Sequence, residues 1–160
     1  DHLATSTSNG LQKDYVFDAE RMVQTTGDTG PYLQYAHARV SQILRKAAAE
    51  ANPNVDPEAD LVAMDWGRIR VLDEPAEQQL ALLLSRFGEI VEVVATDLTP
   101  HKLCTYLYEL AGAYSVFYEQ CPVLRSTGEV RGSRLALCAA TRRVLGRGLD
   151  LLGIDAPDRM

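Results

Sequence analysis

Three cysteines with no CxxC pair, and three histidines placed away from them, leave neither zinc-ligand spacing nor an even-numbered disulfide framework. Cys104, Cys121 and Cys138 each lie in apolar, helix-like sequence, where a free thiol behaves as a small core residue, and a reduced cytoplasmic interior suits them. No apolar stretch approaches the roughly 20 residues that cross a bilayer, so no membrane partner is expected. The first fifteen residues, DHLATSTSNGLQKDY, lack the basic start and apolar stretch of a secretion signal. They also lack an initiating Met, as a piece cut from a longer protein would. Only seven Pro and eleven Gly among 160 residues, with 46% apolar content, exclude collagen-like and disordered classes and leave one globular domain with a core of its own. The motifs GxxxxGK(S/T), GxGxxG, GxSxG and HExxH are all missing, and His37 and His101 have no nucleophile or ligand cluster beside them. No self-sufficient catalytic site and no metal site are expected.

The net charge of −6 argues at first against a nucleic-acid partner, but its distribution is uneven. Residues 50 to 101 hold eleven acids and three bases, whereas residues 31 to 49 hold Arg39, Arg45 and Lys46 and no acid. Residues 123 to 148 carry Arg125, Arg131, Arg134, Arg142, Arg143 and Arg147 against Glu129 alone. An all-arginine choice favours planar, bidentate recognition of phosphate and stacking on bases. Ion pairing to the acidic middle is the other reading of the same pattern, and charge alone leaves both open.

Apolar periodicity predicts helices throughout, with no sustained period-two alternation and no internal repeat. A short helix is predicted from Asp18 to a stop at Gly27. A second, with Pro31 at its start, should run from Pro31 to about Ala51 on the stripe Leu33, Ala36, Val40, Ile43 or Leu44, and Ala47, leaving Tyr32, Tyr35 and Arg39 on another face. Residues 52 to 74 are hard to read, with a short helix possible around Leu61 to Trp66. A third long helix starts at Pro75, with a kink expected at Gly88. The next runs from Pro100 to about Glu119, with Leu103, Leu107, Leu110, Ala111, Tyr114 and Phe117 on or near one face, and it is rich in tyrosine, with Tyr106, Tyr108, Tyr114 and Tyr118. The last should run from about Ser133 to Leu152, capped by Gly153. The fold class is all-α, a bundle of about five helices. Tyrosines and arginines on neighbouring helices are what single-stranded RNA binders use to stack bases and hold phosphates, although tyrosines in a bundle also serve as core.

The segment DYVFDAERMVQTTGDTGPYLQYAHARVSQILRK, residues 14 to 46, closely resembles the stretch that follows the catalytic domain in arginyl-tRNA synthetases. The final SRLALCAATRRVLGRGLDLLGIDAPDRM resembles the C-terminus of the same enzymes, and LTPHKLCTYLYELAGAYSVFYEQCPV lies in the same domain. The similarity covers about residues 12 to 50 and 75 to 160 and points to the DALR-type anticodon-binding domain of these class I aminoacyl-tRNA synthetases. The letters DALR do not occur, and residues 52 to 74 diverge.

The resemblance implies residues 1–30 as a connector from an upstream catalytic domain and residues 31–160 as the anticodon-binding bundle. It implies that the bundle grips the anticodon stem-loop of arginine tRNA and reads a cytosine at its second anticodon position. By the same resemblance Tyr35 and Arg39 of YLQYAHAR lie at that base, joined by Arg45, Tyr114 and Met160. The family's HIGH and KMSK regions, with their ATP, magnesium and arginine site, belong upstream and do not occur here. The chain alone is therefore expected to bind RNA and catalyse nothing, with no cofactor of its own, while the parent ligase joins arginine to tRNA in the cytoplasm. Implied partners are arginine tRNA and the catalytic domain of the same polypeptide, not DNA or membrane. The alternatives are a free-standing RNA-binding paralogue and a helical protein-interaction module whose arginine face meets an acidic partner. Leu149, Leu152 and Ile154 are expected to anchor the C-terminal tail, so that Met160 and its carboxylate reach one fixed place near Arg39 or Tyr114, where a carboxylate can accept the exocyclic amine of cytosine.

Overall fold

The computed structural model describes residues 29–51 and 69–160. Among them are five helices and no strand: α1 (Gly30–Ala51), α2 (Pro75–Ser85), α3 (Phe87–Asp97), α4 (Pro100–Gln120) and α5 (Gly128–Leu151). The all-α bundle is as expected. The short helix predicted at Asp18, most of the connector and the segment around Leu61 to Trp66 lie outside the described residues.

The α1 stripe Leu33, Ala36, Val40, Ile43, Leu44 and Ala47 is buried throughout, and so are Leu103, Leu107, Leu110, Ala111, Tyr114 and Phe117 of α4. Each leucine taken from water stabilises the fold by roughly 1.5–3 kcal/mol, which favours the helical register that puts all of them inside. Helix α1 packs chiefly on α5, and α2 on α4. Tyr32 stacks on Tyr108 across the α1–α4 contact, with ring centroids 6.1 Å apart. At Gly148 a Cβ would stand 2.5 Å from a Leu107 methyl, so glycine lets α5 approach α4 closely. The three cysteines are buried and form no disulfide, as expected of core residues. Burial pushes the Cys138 thiol up to about 12, which keeps it protonated and unreactive.

Two boundaries differ from the sequence reading. The break after α2 falls at Arg86 rather than Gly88. The Leu83 carbonyl, which in an unbroken helix takes the amide four residues on, accepts the Arg86 N–H at 3.1 Å and the buried Tyr106 hydroxyl at 2.9 Å. Helix α5 begins at Gly128, five residues before the expected start, so Ser133 lies inside the helix. Its Oγ accepts the backbone N–H groups of Arg70 (2.9 Å) and Val71 (3.0 Å), which pins the segment before α2 to the side of α5. Beside it, the Arg134 guanidinium donates to Glu77 Oε1 at 2.6 Å. Glu77 Oε2 accepts the Glu74 N–H at the start of α2. Helix α5 ends as predicted, at Gly153 with φ 72°.

Candidate nucleic-acid interface

Beyond α5 the tail folds back along α1. Gln34, His37, Ser41 and Arg45 recur at three- and four-residue spacing, so they form one row on that helix. Gln34 Nε2 donates to the Asp155 carbonyl at 2.8 Å, and His37 Nδ1 to the Pro157 carbonyl at 3.0 Å. Ser41 Oγ donates to Asp158 Oδ1 at 2.9 Å, while Arg45 Nη2 donates to the Asp158 carbonyl. From α5, Arg142 reaches the same Oδ1 with Nη2 (2.9 Å) and Nε (3.2 Å). Leu152 and Ile154 pack on the core as expected of anchors, and Leu149 is fully buried.

Next to this row, α1 and the tail enclose an open pocket of about 380 Å³ lined by Tyr35, Arg39, Gln42, Arg45, Asp158 and Met160, with Ala38 and Arg159. The pocket gathers four of the five residues singled out by sequence. Tyr35 is 46% exposed and Met160 66% exposed, so an aromatic face and a flexible thioether are open to a ligand. Arg39 is fixed from behind, its guanidinium carbon 4.3 Å from the centre of the Tyr118 ring. Such a cation–π stack holds the planar cation in place while its N–H groups keep their hydrogen-bonding capacity.

Tyr114 is not brought to the pocket. It is buried, with its ring 6.3 Å from Tyr118, and its hydroxyl lies against the Cys138 thiol. Burial drives its ionisation far above the ordinary phenol range, so it stays neutral. Tyr114 thus backs the Tyr118 ring that carries Arg39. Periodicity already placed Tyr114 on the apolar face of α4, and that was the signal for a buried position. Tyr118, Ser41, Arg142 and Asp158 were missed as parts of the site. A serine and a histidine beside the apolar stripe of α1 call for a buried partner, and that clue was available.

The second basic stretch is largely paired internally. Arg131 meets Glu50 at 2.7 Å, Arg134 meets Glu77, Arg142 meets Asp158, and Arg147 pairs with Asp150. Ion pairing therefore accounts for four of its six arginines. The pocket rim instead carries Arg39, Arg45 and Arg159, with exposed Lys46 next along α1.

The profile of the DALR anticodon binding domain matches residues 33–160, which include all five helices except the first three residues of α1. The chain belongs to the DALR anticodon-binding domain family. Over 153 residues it is 99% identical to the arginine–tRNA ligase of Cutibacterium acnes, covering 96% of this chain and 28% of that enzyme. It is 51% identical over 148 residues to the ligase of Thermobifida fusca, of which it covers 24%. The DALR chain thus spans about a quarter of the length of the curated relatives it matches. The solved Thermus thermophilus arginyl-tRNA synthetase superposes with a TM-score of 0.67 at 38% identity, over 86% of this chain and 22% of that one. The Plasmodium falciparum enzyme gives a TM-score of 0.74 at 27% identity, over 92% and 24%. Among the described residues of this DALR domain, no helix is long and apolar enough to cross a membrane.

Burial of His37 beneath the tail is expected to make the domain acid-sensitive. Burial pushes the His37 imidazole below its ordinary value of 6.5, reinforced by Arg142 and Arg45 and opposed by the Pro157 carbonyl and by Asp158. A lowered folded value means that the unfolded chain binds the proton more readily. The contribution of His37 is therefore complete above about pH 6.5 and is lost as pH falls below it. Burial alone would raise Asp158, but the bonds from Arg142 and Ser41 hold it below 3.8, so its contribution disappears only in stronger acid. Melting at pH 7 and pH 5.5 should show a drop that His37→Asn reduces, since asparagine can still donate to the Pro157 carbonyl but does not titrate. An equal drop in both proteins would remove His37 as the cause.

Proposed function

We propose that this domain binds the anticodon stem-loop of arginine tRNA and reads the cytosine at its second anticodon position, within a cytoplasmic arginine–tRNA ligase. The reading rests on one observation above others: an exposed tyrosine, a fixed arginine and an exposed methionine converge on one pocket between α1 and the tail. The names of the relatives supply the RNA, since arginine–tRNA ligases and arginyl-tRNA synthetases align along the chain. In the pocket the Tyr35 ring stacks on the splayed base, Arg39 donates to its polar edge or to a phosphate, and Met160 closes the far side. Arg45 serves both the tail and the RNA backbone. Tyr114 acts through Tyr118 and is a positioning residue. Activation of arginine with ATP and magnesium, and its transfer to the tRNA, fall to the part of the ligase beyond this domain. The domain itself contributes binding alone.

Titrating the chain with arginine tRNA and with a non-cognate tRNA tests the reading, and tighter binding of arginine tRNA is the expected result. Equal affinities would favour a general RNA-binding or protein-interaction module. Arg39, Arg45, Lys46 and Arg159 provide about four phosphate contacts, so log affinity should fall with log salt at a slope of about −3, given roughly 0.7 per phosphate for single strands. Binding unchanged between low and moderate salt would contradict this electrostatic share. Removal of Met160 should lower affinity about tenfold, equivalent to roughly 1.4 kcal/mol, with little change in melting. Indistinguishable titrations would leave the tail a purely structural element.

A further inference from the structure

Met160 lies two residues beyond Asp158, and the chain covers at most about 7 Å in two residues. Whatever holds Asp158 therefore fixes where Met160 can be. One carboxylate oxygen, Oδ1, collects Ser41 from α1 and two N–H groups of Arg142 from α5. The carbonyl of the same residue takes Arg45. This single residue ties the two helices and the tail together at the pocket wall.

We infer that Asp158 is a positioning residue for RNA binding, acting as a clamp that presets the Met160 side chain in the pocket before RNA arrives. The inference rests on the anticodon-binding reading, and it assigns Arg142 to the clamp rather than to phosphate. Its consequence runs against simple electrostatics. Deleting a negative charge from a pocket that receives a polyanion should strengthen binding by Coulomb's law. If the charge serves as a clamp, deleting it weakens binding, because the tail must then be ordered during association.

The test compares the 160-residue chain with Asp158→Ala and Ser41→Ala, each with and without Met160. The ligand is an RNA hairpin carrying the arginine anticodon loop with cytosine in the second position. The clamp predicts that Asp158→Ala loses affinity about tenfold, as for one lost contact, and that Ser41→Ala loses less. In chains lacking Met160 the Asp158→Ala loss should vanish or turn into a slight gain. A loss that persists without Met160 would make Asp158 a direct RNA contact or a stability residue and would overturn the inference. So would tighter binding by Asp158→Ala with Met160 present. An RNA-free readout separates the two layers of the argument. The Met160 methyl group, observed by NMR, should have a shift distinct from random coil in the unaltered chain and move toward the random-coil position in Asp158→Ala. A methyl already at random coil in the unaltered chain would refute the clamp whatever the RNA does. Failure of the unaltered chain to bind the hairpin, with a shifted methyl, would refute the anticodon reading and leave the clamp as a structural device.

Discussion

Glu77→Ala should destabilise the chain by about 3–5 kcal/mol, the usual consequence of removing one partner from a buried ion pair. Glu77 is 2% exposed and Arg134 11% exposed, with 2.6 Å between Oε1 and Nε, so the orphaned guanidinium would stay out of water without its anion. Arg134 would retain the Pro122 carbonyl and the Ser126 hydroxyl, neither of which carries a charge. The substitution also removes the acceptor that Glu77 Oε2 offers to the Glu74 N–H, one of the two arms of the capping box at the start of α2. A fall in melting temperature on the order of 10 °C follows. The double change Glu77→Leu with Arg134→Met should recover most of the loss, because an apolar pair leaves no charge behind. Denaturant unfolding of the unaltered chain and of these two variants decides the matter. Single and double variants of equal stability would mean that the pair is not what holds this corner. Ser41 and Arg142 lie far from it, since Arg134 and Arg142 are about 12 Å apart along α5 at 1.5 Å per residue. Glu77→Ala should therefore leave the RNA affinity of the folded fraction unchanged.

Tyr35→Ala should weaken binding of the arginine anticodon hairpin by about 1–3 kcal/mol, the range for loss of a base stacked on an aromatic ring. Tyr35 is 46% exposed, so truncating it costs the core little, and a drop in affinity without a drop in melting temperature separates the two effects. Tyr35→Phe keeps the ring and should lose less. Arg39→Ala removes a guanidinium that Tyr118 holds in place, and it should cost more for a hairpin with cytosine in the second position than for one without. Equal losses on both hairpins would make Arg39 a phosphate contact only. A Tyr35→Ala variant that loses helicity would return Tyr35 to the structural residues.

Helices α1 and α4 were legible because their apolar residues recur at three and four positions over twenty residues, a pattern set by local geometry. The break at Arg86 was not, because the Tyr106 hydroxyl that occupies the Leu83 carbonyl lies 23 positions away in sequence. The start of α5 was misplaced because the Pro, Ser and Gly of residues 122 to 133 have the composition of a loop, and the bonds of Ser133 to backbone N–H groups 62 and 63 positions away lie beyond any local pattern. In the candidate site, Tyr35 and Arg39 could be paired from spacing alone, since four residues make slightly more than one helical turn. Met160 entered only through the family resemblance. The clamp at Asp158 was invisible to any local reading, since Ser41 lies 117 residues from it and Arg45 113. Tyr114 shows the opposite case, where the resemblance suggested an RNA contact while the periodicity had already assigned a buried face.

The central claim is that the pocket of Tyr35, Arg39 and Met160 reads a base. The most direct measurement is fluorescence anisotropy with two hairpins of the arginine anticodon arm that differ only at the second anticodon position, cytosine in one and uracil in the other. Each is titrated with the unaltered chain and with Arg39→Ala. The account predicts that the unaltered chain prefers cytosine by about tenfold or more, the least expected of a good base contact, and that Arg39→Ala reduces most of that preference. Identical curves for the two hairpins with the unaltered chain would contradict it.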